Sequence, residues 1–82
     1  MNTSVIKEKI KTGAVFINGR IEPRWFLWKQ RKIEIKKITF SWNTAEGASP
    51  LIHFSVTDGS TYYELSYNKK SLEWMLEKTA TD

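Results

Sequence analysis

The sequence predicts an all-β fold, a small curved antiparallel meander of five or six strands that is open or closed like a barrel. Three observations predict it. Apolar and polar residues alternate with period two over most of the chain, as they do in half-buried strands. Asn-Gly and Asp-Gly pairs, which are typical of tight hairpin turns, separate several of these runs. One long run changes phase, which requires a β-bulge of the kind found where sheets curl.

Length and composition indicate one domain. The chain has 82 residues, of which 40% are hydrophobic and 13% aromatic, enough for a single small core. We interpret residues 1–12 as an ambiguous N-terminal segment, 43–50 as a loop and 79–82 as a frayed tail. The absence of cysteine excludes disulfides and thiolate metal sites. No apolar run is long enough for a signal peptide or a membrane span, so we expect a cytoplasmic protein without membrane contact.

The pair Asp58-Gly59 predicts the clearest hairpin, with a two-residue turn. The opposed pairs that follow from this turn are Val56–Thr61, Phe54–Tyr63 and Ile52–Leu65. Directly opposed residues share a face of the sheet. One face of the hairpin is therefore apolar and the other is mostly polar.

The next connection is predicted to be a four-residue loop at Asn68–Ser71. The opposed pairs that follow are Tyr67–Leu72, Leu65–Trp74 and Tyr63–Leu76. Helix is the alternative for residues 71–78, because Leu72, Met75 and Leu76 also lie at helical spacing. We favour the strand because each of its apolar residues meets an apolar partner.

An earlier hairpin centres on Gln30-Arg31, which places Trp28 opposite Ile33 and Phe26 opposite Ile35. Gln-Arg is poor chemistry for a tight turn with positive φ angles. A four-residue loop over residues 29–32 keeps the same pairing and is expected instead.

The strand after this hairpin contains the phase change. Two isoleucines, Ile33 and Ile35, are at odd positions, whereas the later apolar residues are at even positions: Ile38, Phe40 and Trp42. A regular strand cannot bury both sets on one face. A β-bulge near Lys36-Lys37 would place both sets in the core.

The N-terminal third is predicted to contain a further hairpin at Asn18-Gly19, with Phe16 opposite Ile21. Pro23 cannot donate to a strand ladder, so we expect it at a sheet edge or a strand entry. Residues 4–11 are interpreted as a strand with a break at Gly13. A short helix capped by Ser4 is the alternative.

Several aromatic residues carry a resemblance to a known pattern. They are Pro23-Arg-Trp-Phe26-Leu-Trp28, Ile33-x-Ile35-x-x-Ile38-x-x-x-Trp42, Tyr63-Glu-Leu65 and Trp74-Met-Leu76. The pattern resembles a family of small bacterial β-domains of unknown function, and it is similar to the C-terminal tail of inactive Y-family DNA polymerase homologues. The resemblance implies a shared core and a DNA-repair context, and it supplies no catalytic residue. A glycine that the family usually has in the turn after Trp28 is missing here.

Enzymatic chemistry is not expected from these residues. The only conceivable triad combines His53, Glu64 and a serine, either Ser55 or Ser66, without a nucleophile elbow or an oxyanion loop. We interpret these residues as an ordinary exposed cross-strand group. One histidine and scattered carboxylates cannot supply the usual ligands of a zinc site, and no cofactor is expected.

The remaining candidate site is a binding surface on the first half of the chain. The predicted surface residues are Trp25, Leu27, Lys29, Arg31, Lys32, Lys36 and Lys37. The predicted pairing places Trp25 opposite Lys36, within reach of a cation–π contact. An aromatic platform among cations is typical of single-stranded nucleic-acid binding. Alternatively, the N-terminal segment or the 43–50 loop covers Trp25 and Leu27.

The expected function is therefore a non-catalytic binding module with a net charge of +4, for single-stranded nucleic acid or as a DNA-repair accessory. The alternative is a protein–protein interaction or homodimerisation module. Exposed strand edges and an exposed apolar patch would serve that purpose equally well.

Overall fold

The computed structural model describes residues 2–81, which form one antiparallel sheet of seven strands. The strands are β1 (Asn2–Ile17), β2 (Arg20–Trp28), β3 (Arg31–Glu34), β4 (Lys37–Glu46), β5 (Ser49–Thr57), β6 (Tyr62–Asn68) and β7 (Trp74–Thr81). The all-β prediction is confirmed. The sheet has more strands than the five or six predicted, and it does not close into a barrel.

The strand order is β3-β2-β1-β7-β6-β5-β4, so two meanders are joined through β1 and β7. The long strand β1 pairs with β7 along its N-terminal half and with β2 along its C-terminal half. The prediction of strand for residues 4–11 is therefore confirmed. The prediction of a single meander was wrong. A meander would place β1 at an edge of the sheet, whereas β1 lies between β2 and β7.

The sheet curls strongly around its core. Phe26 of β2 and Tyr63 of β6 are in edge-to-face contact with ring centroids 5.1 Å apart. Because β1 and β7 lie between them, a flat sheet would separate these strands by about 14 Å. The buried core consists of Phe26, Ile33, Phe54, Val56, Tyr63, Leu65, Tyr67, Trp74 and Leu76.

The β5–β6 hairpin has the predicted faces but a pairing shifted by two residues. Its observed pairs include Val56–Tyr63, Phe54–Leu65 and Ile52–Tyr67, which replace the predicted ones. The turn is a four-residue loop, because the Asp58 carboxylate caps it. Asp58 Oδ1 accepts hydrogen bonds from the backbone N–H groups of Ser60 and Thr61, at 2.9 and 2.8 Å.

The β6–β7 hairpin shows the same shift, with Tyr67 opposite Trp74 and Leu65 opposite Leu76. Asn68 Oδ1 accepts hydrogen bonds from the N–H groups of Lys70 and Ser71, which lengthens the loop. Leu72 has a φ of 63° and is 66% exposed, so its predicted pairing with Tyr67 was wrong. The choice of strand over helix is confirmed for β7.

The β2–β3 hairpin also shifts by two residues, but toward a shorter turn. Lys29 and Gln30 form a two-residue turn with φ angles of 52° and 61°, so the predicted 29–32 loop was wrong. Phe26 lies opposite Ile33, and Trp28 lies opposite Arg31. The Asn18-Gly19 hairpin, by contrast, is confirmed with Phe16 opposite Ile21.

The predicted irregularity at Lys36-Lys37 is a break at which the chain changes partners. The N–H of Ile35 bonds the Arg24 carbonyl, and the next N–H, of Lys36, bonds the Thr57 carbonyl. The chain thus leaves β2 and joins β5. A second bulge, between Ile38 and Phe40, reverses the alternation of β4.

This second bulge corrects the predicted core. Ile38 packs against the core as predicted. Phe40 and Trp42 do not, because they lie on the outer face, opposite Ser55 and His53. Phe40 is 65% exposed.

Two further predictions are corrected by the strand pairing. Residues 43–50 are paired strand except at the turn, Gly47-Ala48, and are not a loop. The predicted fray at 79–82 is also not seen, because residues 79–81 pair with β1 and residues 79–80 pair with β6 as well. Asp82 lies outside the described residues. The expected edge position of Pro23 is confirmed, because its side of β2 away from β1 has no partner strand, although its ring is buried.

Candidate functional site

A bulge in β2 creates the outer face on which the candidate surface lies. Ala14 lies opposite Pro23 and Gly13 opposite Trp25, so Arg24 has no partner on β1. This extra residue reverses the alternation along β2. Pro23 and Phe26 therefore both face the core, while Trp25 faces outward.

The Trp25 indole lies directly over Gly13 of β1. A Cβ added at position 13 would overlap the Cε2, Nε1 and Cζ2 atoms of the indole. Trp25 is consequently half-buried, and the Lys32 ammonium lies 5.0 Å from its ring centroid. The same ammonium pairs with Glu34 Oε2 at 3.3 Å.

Two lysines flank an apolar side chain beside this indole. Lys11 of β1 lies opposite Leu27, and Leu27 lies opposite Lys32 of β3. Leu27 is 39% exposed, and both lysines are exposed. We call the surface formed by Lys11, Trp25, Leu27 and Lys32 the Trp25 face.

The structure brings together three of the seven predicted surface residues, Trp25, Leu27 and Lys32. The other four lie elsewhere. Lys29 is in the β2–β3 turn with its ammonium 4.7 Å from the Trp28 ring centroid, and Arg31 shares the face of Trp28.

The two remaining predicted residues, Lys36 and Lys37, lie at the crossover into β4. The aliphatic part of Lys36 packs near Gly59. The predicted Trp25–Lys36 pair was therefore wrong. Glu34 lies opposite Trp25 instead, because the hairpin pairing is shifted by two residues. The cation over the indole is Lys32, which lies opposite Leu27.

The sequence prediction missed Lys11. A signal for it was present, since Ile21 and Phe26 cannot both face the core of a regular strand. A bulge between them is required, and continuing the Asn18-Gly19 hairpin past that bulge places Lys11 opposite Leu27. The sequence also allowed the N-terminal segment to cover Trp25. β1 covers one side of the indole, at Gly13.

A second group of aromatic rings lies on the outer face of β4 and β5. The Trp42 ring stacks on His53 with a 5.1 Å centroid distance and a 7° interplanar angle, and on Phe40 at 5.6 Å. His53 Nε2 lies 2.7 Å from Thr44 Oγ1. Sequence analysis placed Phe40 and Trp42 in the core and missed this stack.

In the conceivable triad, His53 Nδ1 makes no hydrogen bond with Glu64 or Ser66. His53 Nδ1 is 3.5 Å from Glu64 Oε2, which is long for a hydrogen bond. Ser66 lies opposite His53, but its hydroxyl donates to Glu77 Oε2 at 2.6 Å. The serine oxygen is thus bonded to a carboxylate and not to a base-bearing imidazole.

Glu77 is a buried carboxylate held by two donors, Ser66 and Lys7. Lys7 Nζ lies 3.0 Å from Glu77 Oε1. Burial acts to raise the pKa of Glu77, but the Ser66 hydroxyl and the Lys7 ammonium outweigh it and hold the pKa below its ordinary value. Both ladders of β7 shift between Leu76 and Lys78, so Glu77 is the extra residue of a bulge. We assign the group a structural role, because its two bonds fix this bulge against β1 and β6.

Across residues 2–81, no cluster of three or more histidine, aspartate or glutamate side chains could hold a metal ion. The same residues include no helix with the length and apolar character needed to cross a membrane.

No protein-family model, no curated protein and no solved structure matches this chain.

Proposed function

We propose that the chain is a non-catalytic module that binds single-stranded nucleic acid on its Trp25 face. One observation carries this proposal. A half-buried indole lies on the outside of the sheet with an ammonium 5.0 Å from its ring. Aromatic rings that stack bases and cations that pair with phosphates are the two components of such sites.

The arrangement around Trp25 suits both components. The indole is supported from below by Gly13, which fixes a flat platform at small entropic cost. A base that stacks on the outer side of the ring would displace the Lys32 ammonium, which would then pair with a neighbouring phosphate. Leu27 extends the apolar platform between the two lysines.

Cations on this face are available for phosphate. Within residues 2–81, Lys11 makes no ion pair, whereas its neighbour Lys9 pairs with Glu73 at 3.2 Å. Lys32 pairs only with the exposed Glu34, an interaction that water and salt weaken. The net charge of +4 supports attraction of a polyanion from a distance. The resemblance to a polymerase tail would place this activity in DNA repair.

The test is fluorescence anisotropy with a labelled oligothymidine of about 15 nucleotides, a length that covers one small β-domain site. Lys11→Gln and Lys32→Gln should each weaken binding several-fold and lower the slope of log affinity against log salt by about one. Both lysines are exposed, so we expect both variants to fold.

The matched control is Lys78→Gln. Lys78 lies opposite Val5, six residues along β1 from Lys11 and therefore about 20 Å away. Its loss should leave affinity close to that of the wild type. Equal losses in all three variants, or no binding of the wild type at low salt, would contradict the proposal.

A further inference from the structure

The N-terminal half of the β2 edge is open. β3 pairs with β2 only from Trp25 to Trp28, which leaves Arg20–Pro23 unpaired on that side. The strand across from it is β4, which among the described strands pairs with β5 alone. No Cα atom of β2 lies within 8 Å of a Cα atom of β4, whereas directly paired strands lie about 5 Å apart.

The gap between these two edges is a groove of about 490 Å³. Its floor is apolar and consists of Ile21, Ile38, Ile52 and Phe54. Phe54 belongs to the core cluster and the three isoleucines pack against it, so the floor of the groove is the edge of the hydrophobic core. An extended strand that pairs with β4 would lie about 4.8 Å from it, over the apolar floor.

The two edge strands of the sheet differ in their protection. β3 carries charged residues at three of its four positions, which is the usual defence of an exposed edge. β4 has neither a charged residue nor a proline from Ile38 to Ala45. From Phe40 to Glu46 it pairs regularly with β5, so its other side offers backbone groups in regular order.

The mouth of the groove is basic. Arg20 and Lys69 line it, and the one carboxylate there, Glu22, is shared by two arginines. Its oxygens lie 3.3 Å from Arg20 Nη2 and 2.9 Å from Arg24 Nη2. Lys69 makes no ion pair within residues 2–81. An occupant with a carboxylate at this end would complement the charge.

We infer that the groove between β2 and β4 accepts an extended strand of a partner protein. The strand pairs with the open edge of β4, places alternate apolar side chains on the floor and carries an acidic residue near Arg20 and Lys69. This site is separate from the Trp25 face, which lies on the outer side of β1–β3. Strand insertion and oligonucleotide binding are therefore independent.

The test is selection from a displayed library of randomised seven-residue peptides, with the wild type as bait and Ser41→Arg as counter-selection. Ser41 lines the groove and is exposed, so the arginine fills the groove. Enriched peptides should alternate apolar and polar residues and carry Asp or Glu near one end. The best synthetic peptide should shift the amide NMR signals of Arg20–Glu22 and Phe40–Glu46.

Two further variants test the predicted charge contact and provide a control. Lys69→Glu, at an exposed loop position, should weaken the selected acidic peptide about tenfold through charge reversal. Ser60→Arg, in the loop at the other end of β5, should bind it like the wild type. Oligothymidine binding should be the same in Ser41→Arg and the wild type, which separates this inference from the proposed function.

Three outcomes would overturn the inference. One is the absence of any peptide enriched over Ser41→Arg. Another is a set of enriched peptides whose signals map to β3 or to the Trp25 face. The third is a wild-type protein that sediments as a dimer whose assembly Ser41→Arg abolishes, since the occupant would then be a second copy of this chain.

Discussion

At the scale of single residues, the Trp25 face depends on one glycine. Gly13 is needed for space, because the Trp25 indole occupies the position where a Cβ would project. The pair holds an aromatic ring in place on an otherwise solvent-facing surface. The ring gains burial against β1 and still presents its outer side.

Gly13→Ala should therefore destabilise the protein by about 1–3 kcal/mol through overpacking against the indole. Urea unfolding, followed by circular dichroism, measures the change. In a Trp25→Ala background the same substitution should be almost neutral, because the clash is gone. An equal loss in both backgrounds would show that the Gly13 backbone, and not the indole, sets the requirement.

Glu77 connects three strands through its two hydrogen bonds, to Ser66 on β6 and Lys7 on β1. Its folded-state pKa lies below the ordinary value of 4.5. The contribution of Glu77 to stability is therefore complete above the unfolded-state pKa. It is lost as the pH falls through the folded-state pKa.

Glu77→Gln should lower the free energy of unfolding by about 1–3 kcal/mol at neutral pH, since a buried charge-assisted hydrogen bond is weakened. The difference from the wild type should shrink as the pH falls below about 4. Urea midpoints at pH 7 and pH 3 measure both quantities. Glu34→Gln, which removes an exposed carboxylate, should leave both midpoints nearly unchanged. A gap between Glu77→Gln and the wild type that is constant with pH would contradict this assignment.

At the scale of strands, alternation predicted the faces of the β2–β3, β5–β6 and β6–β7 hairpins but not their pairing. Shifting a hairpin by two residues returns every side chain to the same face, so the pattern cannot detect the shift. The capping side chains of Asp58 and Asn68 lengthened two loops by consuming backbone donors within them. Only Asn18-Gly19, whose chemistry specifies a two-residue turn, gave the pairing correctly.

The same reasoning explains which site residues could be predicted. Trp25, Leu27 and Lys32 were correctly placed on one face, because a shift of two residues does not change the face on which a side chain lies. The Trp25–Lys36 pair failed because it depended on the pairing. Lys11 was missed because it reaches the face through a bulge in β2, where the extra residue changes the count.

The Lys29-Gln30 turn offers a direct measure of backbone strain in these hairpins. Both residues have positive φ angles, which non-glycine residues adopt at a cost of about 1–2 kcal/mol. Gln30→Gly should raise the free energy of unfolding by up to about 1 kcal/mol, after the entropic cost of glycine.

The Asn18-Gly19 turn allows the opposite substitution, from glycine to alanine. Gly19 has a φ of +76° and nothing within 4 Å of an added Cβ, so Gly19→Ala should destabilise by strain alone, by about 1 kcal/mol. Urea midpoints of both variants test the pair. A destabilised Gln30→Gly variant would mean that the side chain of Gln30 contributes more than its backbone conformation costs.

At the scale of the whole molecule, the decisive contact joins distant parts of the chain. Pairing of β1 with β7 connects the first and last described strands and allows Phe26 to reach Tyr63. Local patterns cannot specify such a pairing, because many strands of similar alternation could occupy that position. It determines which edges remain open and thus where the groove lies.

The curled sheet also separates the two proposed surfaces. The Trp25 face lies on the outside of β1–β3, and the groove lies between the edges of β2 and β4. A third outer patch, the ring stack of Phe40, Trp42 and His53, lies on β4 and β5. An experiment that maps a ligand onto the sequence can therefore tell these surfaces apart.

The most direct measurement is a titration of the ¹⁵N-labelled protein with oligothymidine, followed by amide NMR shifts at low salt. We expect the largest shifts to cluster on the Trp25 face, with a matching change at the Trp25 indole N–H. The amides concerned are those of Lys11, Gly13, Trp25, Leu27 and Lys32. Shifts centred on Phe40, Trp42 and His53, or no shifts at all, would contradict this expectation.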